Sequence, residues 1–529
     1  MTMESAIDHD VVVVDEFDAL SIEVKTSSSY PFEFDSVSSV APIPAKYPAK
    51  LHARKVAEEL RVSDGLIFLP GEPSRSYEDS DMGPTFRQRR YFYYLSGANF
   101  ADCAVTYEIG AKRLILWIPY VEPRQVLWFG RTPGITECLK QLDVDEVRYT
   151  TQLNKFLYRH LTPGSTLYVL HPEQVPLSGE FLREMADIRV DLTSLQPAVD
   201  QARVVKTDYE VAMIRKAVAV SAAAHRRVAE RLLKLENESE IEAIFQAWCT
   251  TAGAREQSYA IIAGSGKNAG TLHYDANNEP LEGRDVVVFD AGCEWNCYAS
   301  DITRTLPIPG RFSDEARAVH DIVKQMQDEC IDMIRPGTLF FDLHIHASRV
   351  AQQGLLELGV LKGGWDEVWE AGTVAAFFPH GLGHHVGLEV HDVAGRDRLL
   401  LLNKVMGVDL VGKRELITPE ILTAMGRTPV KPMHGAAVPP PYKGRQILQP
   451  NMIVTVEPGV YFCREYIEGY FLSNPKHARF INKAVLERYY RVGGVRIEDD
   501  ILVTQSGYED LSSGAPKGEE LLRVINGKA

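Results

Sequence analysis

The sequence predicts an α+β protein: a smaller α/β domain followed by a larger α+β domain. Three observations carry that expectation. The 529 residues exceed what one typical domain holds. Short apolar runs alternate with helical stretches up to about residue 200. Beyond that point, two capped amphipathic helices give way to runs that read as antiparallel strands.

Taken in chain order, residues 1–45 are Ser-rich and acidic without clear periodicity, which predicts a flexible N-terminal tail. An amphipathic helix opens in KYPAKLHARKVAEEL (46–60). DGLIFLPG (64–71), RLILWIPY (113–120) and STLYVLHP (165–172) then read as short buried strands bounded by Gly and Pro. These elements define a predicted N-terminal α/β domain over 46–200, and the rest of the chain, 201–529, a predicted second domain. There Thr207 and Glu210 form a capping-box pattern at the head of a long helix. Ser239 and Glu242 repeat it before IEAIFQAWCTTAG. RDVVVFDAG (284–292), MIVTVEPGVYF (452–462) and GGVRIEDDILVT (493–504) read as strands. An insertion at about 393–445 carries its own short helix, capped by Thr418, with Pro419 at its first position and Gly426 past its end. Its tail, PVKPMHGAAVPPPYKG, reads as an irregular loop.

Composition excludes several classes. A net charge of -15 argues against a nucleic-acid binder, which needs clustered Lys and Arg. No apolar run reaches the roughly 18 residues of a membrane span, so no membrane partner is expected. The acidic N-terminus does not resemble a signal peptide. Seven scattered cysteines, an odd number, fit a reducing compartment, and the cytoplasm is the expected location.

Four carboxylates sit where acidic residues are rare. Asp290 closes VVVFD, Asp301 lies in YASDITRT, Glu457 in IVTVEPGVY and Glu498 in GVRIEDDILV. A buried carboxylate must be paired, hydrogen-bonded or metal-bound. Any one alone could be satisfied by an Arg or a backbone N–H. Four of them, with a His-rich segment between, are better explained by a shared cation site. Asp290 and Asp301 flank a turn-like segment, AGCEWNCYAS, and can face each other across a hairpin. Two divalent cations would balance four carboxylates, and one neutral imidazole would add a ligand without adding charge. Oxygen-rich ligation with a single nitrogen suits Mn, Co or Zn.

The segment HGLGHHVGLEVHD (380–392) supplies His380, His384, His385 and His391. His380 and His384 have the spacing of a helical zinc site, but Gly381 stands where that motif has Glu, and Gly383 weakens a helix further. In extended backbone, His384 and His385 point to opposite sides, so one of them can reach the metals; spacing does not choose which. Cys293 and Cys297 lack a second pair and read as thiols in a hairpin turn rather than a zinc knuckle. GSGKN (264–268) is only a loop, and no GxSxG is present.

In order, DAG-x7-SDITRT, HGLGH-x6-HD, TVEPGVY and GVRIEDD resemble the pita-bread metallopeptidases, within them the Xaa-Pro aminopeptidase and prolidase branch. FRQRRYFYYLSG (86–97) is similar to the N-terminal, creatinase-like domain of that branch. The resemblance spans about residues 50–529. It implies two divalent metal ions per subunit, Mn2+ first, with Co2+ or Zn2+ as alternatives. Asp290 would hold one metal, Asp301 and Glu498 would bridge both, and His384 and Glu457 would complete the other. His273, His380 and His391 would face the substrate, and Arg496 would order the site. His385 has no role in the resemblance and is expected to pack. A homodimer is expected on the same ground.

The implied reaction is removal of the N-terminal residue before a penultimate proline, by attack of a metal-bridging hydroxide with Glu457 as proton shuttle. Proline matters because its imide has no N–H and a fixed φ. One alternative is a prolidase restricted to Xaa-Pro dipeptides; Lys443 and Arg445 are the candidates for binding a dipeptide carboxylate, though Lys and Arg are not equivalent there. A non-catalytic pita-bread binding scaffold and a metal-free creatinase-like amidinohydrolase are disfavoured by the complete ligand set.

Overall fold

Alternating apolar runs build the first sheet of the computed structural model, which describes residues 46–176, 188–400 and 444–528. The expected tail over 1–45, the Thr418–Gly426 helix and Lys443 lie outside the described residues. The sheet holds β1 (Leu66–Pro70), β2 (Ala104–Glu108), β3 (Arg113–Ile118), β4 (Glu146–Tyr149), β5 (Thr166–Tyr168) and β6 (Arg189–Asp191) in the order β4-β3-β2-β1-β5-β6. β1 and β2 pair antiparallel, as do β2 and β3; the outer pairings are parallel. β2, β4 and β6 were not among the strands expected from sequence. The helix Ala49–Leu60 buries Ala49, His52, Ala53 and Val56 along one stripe, the expected amphipathic pattern.

The Asp208–Arg231 helix begins as read from sequence. Thr207 accepts from the Glu210 N–H, and the Glu210 carboxylate accepts from the Thr207 N–H. The next helix, Glu238–Thr251, corrects the reading. Its cap is Asn237, which accepts from Ser239 N, and its box partner is Glu240 rather than Glu242. Asn is as good a cap as Ser, and it stands two residues earlier in the chain, so the helix begins two residues sooner than read.

Three further sheets carry the carboxylates. β7 (Ile262–Ser265), β8 (Val286–Asp290) and β9 (Thr303–Pro307) form an antiparallel meander with Asp290 opposite Thr303. The apolar runs 452–462 and 493–504 each break into two strands. These are β10 (Ile453–Val456) and β11 (Gly459–Tyr461), then β12 (Gly494–Arg496) and β13 (Asp499–Val503). β11 pairs with β12, and β10 with β13, which also takes β14 (Tyr508–Asp510). Glu457 and Glu498 fall at the two breaks rather than within strands. Pro458, lacking an N–H, could not have continued the ladder at the first break. The helices Asp314–Asp332 and Phe340–Glu357 cover this assembly, burying Val319, Val323, Leu343 and Ala347 with Val454, Val456, Ile497 and Ile501 in one core. Each such side chain contributes about 1.5–3 kcal/mol on burial. Four carboxylate-bearing positions therefore rest on a rigid platform.

Candidate active site

The β8–β9 hairpin places the first two carboxylates. Gly292 lets the turn close, because a Cβ there would lie 1.9 Å from the Ser300 carbonyl oxygen. The Tyr259 hydroxyl stands 2.5 Å from both Asp290 Oδ1 and Asp301 Oδ1. A phenol has one proton, so it donates to one carboxylate at a time. Burial, with both carboxylates beside it, holds that phenol protonated by raising its pKa well above the usual value.

The His-rich segment runs beside β10: Thr455 N donates to the His384 carbonyl, and Val386 N donates to that of Ile453. Gly383 permits this approach, since a Cβ would meet the Thr455 carbonyl at 2.1 Å. His384 and His385 consequently point apart. His384 Nδ1 lies 3.0 Å from the His385 carbonyl, so it carries the proton in the neutral ring. Its Nε2 lies 3.4 Å from Asp301 Oδ2 and 3.3 Å from Glu457 Oε1. His385 is buried with no partner for either ring nitrogen. It packs, as expected.

Asp301, His384 and Glu498 each offer a ligand atom, and these atoms all lie within 4.8 Å of one another. Glu457 joins them through its contact with His384. Asp290 joins through Tyr259 and through Arg496, whose Nη2 donates to Asp290 Oδ2 at 2.5 Å. Glu498 Oε2 accepts from Thr303 Oγ1 at 2.6 Å, whereas Glu498 Oε1 is buried with no hydrogen-bond partner. Burial, augmented by neighbouring carboxylates, pushes Glu457 up to about 7 and lifts Asp301 and Glu498 above the usual range. Against the opposing effect of burial, Asp301 and Glu457 hold the His384 imidazole up to about 9. The protein alone can relieve this crowding only by taking up protons. An orphaned carboxylate oxygen, crowded acids and an imidazole lone pair aimed at them fit divalent cations bound by oxygen and one nitrogen.

The other expected residues surround this cluster. His380 Nε2 lies 2.9 Å from the Tyr461 hydroxyl, and Arg496 Nη1 donates to the same oxygen at 3.0 Å. Burial, with Arg496 nearby, lowers His380 to about 3, so it is neutral. Arg496 therefore contacts Asp290 and Tyr461, not Glu498 two residues on. The ring of His391 lies 4.2 Å from that of His384 and 6.4 Å from that of His273. The adjacent His384 charge, then burial, lowers His391 to about 3. Arg445 is buried with its guanidinium 3.5 Å from the Phe341 ring centre.

Sequence reasoning missed several participants. Tyr259, Thr303 and Tyr461 hold the acids and Arg496, yet hydroxyl-bearing residues in strand-like runs are too common to flag. Asp392 anchors the loop after His391: Arg203 Nη2 and Lys206 Nζ reach its carboxylate at 2.5 and 3.2 Å, all three buried. Arg87 and Arg90, inside the recognised FRQRRYFYYLSG stretch, grip two ligand-bearing segments at once. Both reach Glu294, in the β8–β9 turn, at 2.7 and 2.5 Å. Arg87 also reaches Glu389, between His384 and His391, at 2.7 Å.

Residues 212–505 match metallopeptidase family M24, and residues 50–168 match the N-terminal domain of aminopeptidase P. The chain is 80% identical over 529 residues to the "Probable Xaa-Pro aminopeptidase" of Colletotrichum graminicola, covering all of both chains. It is 57% identical over 526 residues to that of Metarhizium acridum, covering 98% of this chain and 99% of the other. Aminopeptidase P from E. coli in its low-pH form superposes with a TM-score of 0.72 at 26% identity, over 91% of this chain and 99% of that one. The zinc-substituted E. coli enzyme in complex with product gives 0.71 at 26% identity, over 92% and 99%.

Proposed function

The chain belongs to metallopeptidase family M24, and from that premise we propose that it is a metal-dependent Xaa-Pro aminopeptidase. It releases the N-terminal residue of peptides whose second residue is proline. The observation that carries this reading is the meeting of Asp301, His384 and Glu498 within 4.8 Å, with Asp290 and Glu457 tied to them. Asp290, Asp301, His384, Glu457 and Glu498 would hold the two cations. When bound, the cations supply Lewis-acid polarisation of the scissile carbonyl and a water of lowered pKa. Mn2+ is the first choice, on the oxygen-rich donor set.

The chain's own residues do the rest. Glu457 takes a proton from the attacking water and returns it to the proline nitrogen, which must leave as an amine. His380 is fixed by Tyr461 and cannot carry charge at neutral pH, so it acts as a hydrogen-bonding group toward substrate. His391, beside His384, and His273, beside His391, would steady the carbonyl. Arg496 holds the Asp290 carboxylate in place.

We assign 46–200 to an N-terminal domain and 201–529 to the catalytic domain, on the match boundaries at 168 and 212. A homodimer is supported by the exposed run Leu127, Trp128 and Phe129, at 82%, 76% and 84%. A cytoplasmic location is supported by seven free cysteines. The deciding experiment removes metal with a chelator, restores Mn2+, and follows release of the first residue from Xaa-Pro-Yaa peptides. The expected result is activity lost and regained. Absence of Mn2+-dependent release would overturn the reading. Turnover of the Xaa-Pro dipeptide with none of the tripeptide would move it to a prolidase.

A further inference from the structure

His273 lies in a stretch, residues 271–280, that has no helix or strand of its own, and its side chain is exposed. Something else must fix where that imidazole stands. The candidate is one buried carboxylate, Glu238, in the first turn of the Glu238–Thr251 helix. Its Oε1 accepts from Ser265 N at 2.8 Å, Ser265 Oγ at 2.6 Å and Asn268 Nδ2 at 3.1 Å, with Arg284 Nη1 at 3.4 Å. Its Oε2 accepts from the Tyr274 hydroxyl at 2.8 Å and from Glu279 N at 3.1 Å. Its own N–H donates to the Glu279 carbonyl at 3.1 Å. These partners precede His273 (Ser265, Asn268) and follow it (Tyr274, Glu279). Asn277 adds a further anchor to this helix and to the strand beside it, and Arg284 holds Glu279. Asn277 Nδ2 donates to Glu242 and to the Ile261 carbonyl, and its Oδ1 accepts from Ala263 N.

We propose that Glu238 is the positioning residue for His273: it gathers the loop around one carboxylate and so sets the imidazole against His391 and the substrate. The charge is essential to this arrangement. Six donor contacts converge on two oxygens, and only an ionised carboxylate can accept them all. A carboxamide of the same shape turns two N–H donors toward groups that themselves donate. An irregular loop released by that mismatch misplaces its side chain by a fraction of an ångström or more, which is enough to slow a reaction. The proposal rests on the reading of His273 as a substrate-side group.

Three variants test it together: Glu238→Gln, Tyr274→Phe and His273→Ala, with the Glu238→Gln/His273→Ala double variant. Glu238→Gln is expected to lower kcat/KM on an Xaa-Pro-Yaa peptide by about 10- to 100-fold, comparably to His273→Ala. Bound Mn2+ per subunit should stay at the wild-type value, because the cation ligands lie elsewhere. The double variant should be no slower than His273→Ala alone, since both changes remove the same contribution. Tyr274→Phe loses one contact and should show a smaller loss of the same kind; it serves if Glu238→Gln does not fold. The proposal is overturned if the two losses multiply, if Mn2+ content falls with activity, or if Glu238→Gln and Tyr274→Phe match wild type while His273→Ala does not. A His273→Ala enzyme as fast as wild type would instead refute the role given to His273 itself.

Discussion

Two adjacent imidazoles, His384 and His385, meet opposite environments. His384 turns its Nε2 toward Asp301 and Glu457, and His385 is sealed among Lys206, Asp392 and β10 with no hydrogen-bond partner. The first is poised to ligate and the second to fill space. His384→Ala should therefore reduce bound metal by at least tenfold, measured by elemental analysis after gel filtration. His385→Ala should leave metal content near wild type while lowering stability by about 2 kcal/mol through the cavity it creates. Exchange of the two metal results would mean that the other imidazole faces the cations. Alternation along an extended chain told that the pair must split, but not which member faces the acids; that depends on how Gly383 seats the segment against Thr455. The acids themselves were legible because a charged group inside an apolar run needs a reason. Tyr259 and Tyr461 were not, because a tyrosine in such a run needs none.

At the level of elements, the sequence located most strands and the long capped helix, since both depend on local periodicity and capping. It placed the Glu238–Thr251 cap at the wrong residue and read the strands around Glu457 and Glu498 as continuous. The first error is local, a choice between two good cap residues; the second is not, because hydrogen bonds to distant partners, such as the Glu498–Thr303 bridge, decide where a ladder stops. The same long-range logic explains the clamp on the β8–β9 turn. Arg90 and Glu294 are both 5% exposed, whereas Arg87 and Glu389 are 47% and 40% exposed. Arg90→Gln leaves the buried Glu294 only the half-exposed Arg87 as counter-charge, so it should destabilise by about 2 kcal/mol. Glu389→Gln removes the exposed contact to Arg87 and a longer one, 3.7 Å, to Arg90, and should change stability by less than about 1 kcal/mol. Adding Glu294→Gln to Arg90→Gln should recover part of the loss. Urea unfolding of the metal-loaded protein measures all three. Equal losses from the two single changes would show that the clamp does not depend on its buried arm.

Across the whole molecule, the described residues fall within one compact unit, and buried titratable groups tie its parts together. His52, on the Ala49–Leu60 helix, lies 3.5 Å from Glu210, on the Asp208–Arg231 helix. Burial alone would raise the Glu210 carboxyl, but His52, Lys55 and the Thr207 N–H together hold it down to about 2. In the cores beyond, burial lowers His225 to about 3 and His344 to about 4. All three folded values lie below those of the unfolded chain, about 4.3 for Glu and 6.5 for His. In each interval the unfolded chain binds the proton and the native protein does not, so stability is full above the unfolded value and falls as pH drops toward the folded one. Two stages follow. Between about pH 6.5 and 4 the histidines should each remove up to about 1.4 kcal/mol per pH unit, and below about 4.3 Glu210 should add its own loss. Thermal unfolding in chelator removes the contribution of bound cations; the crowded acids Glu457, Asp301 and Glu498, raised in the fold, then gain protons and oppose this loss, so the Tm of wild type is read against that of a variant lacking one imidazole. His225→Gln keeps a donor near the Ala291 carbonyl, which His225 Nε2 approaches at 3.0 Å, and cannot titrate. Its Tm should fall less steeply than that of wild type between pH 6.5 and 4, by the share of one imidazole, because His344, His380 and His391 titrate as before, and equally below 4.3. A first stage equally steep in that variant would show that the buried imidazole is not what limits the fold in mild acid.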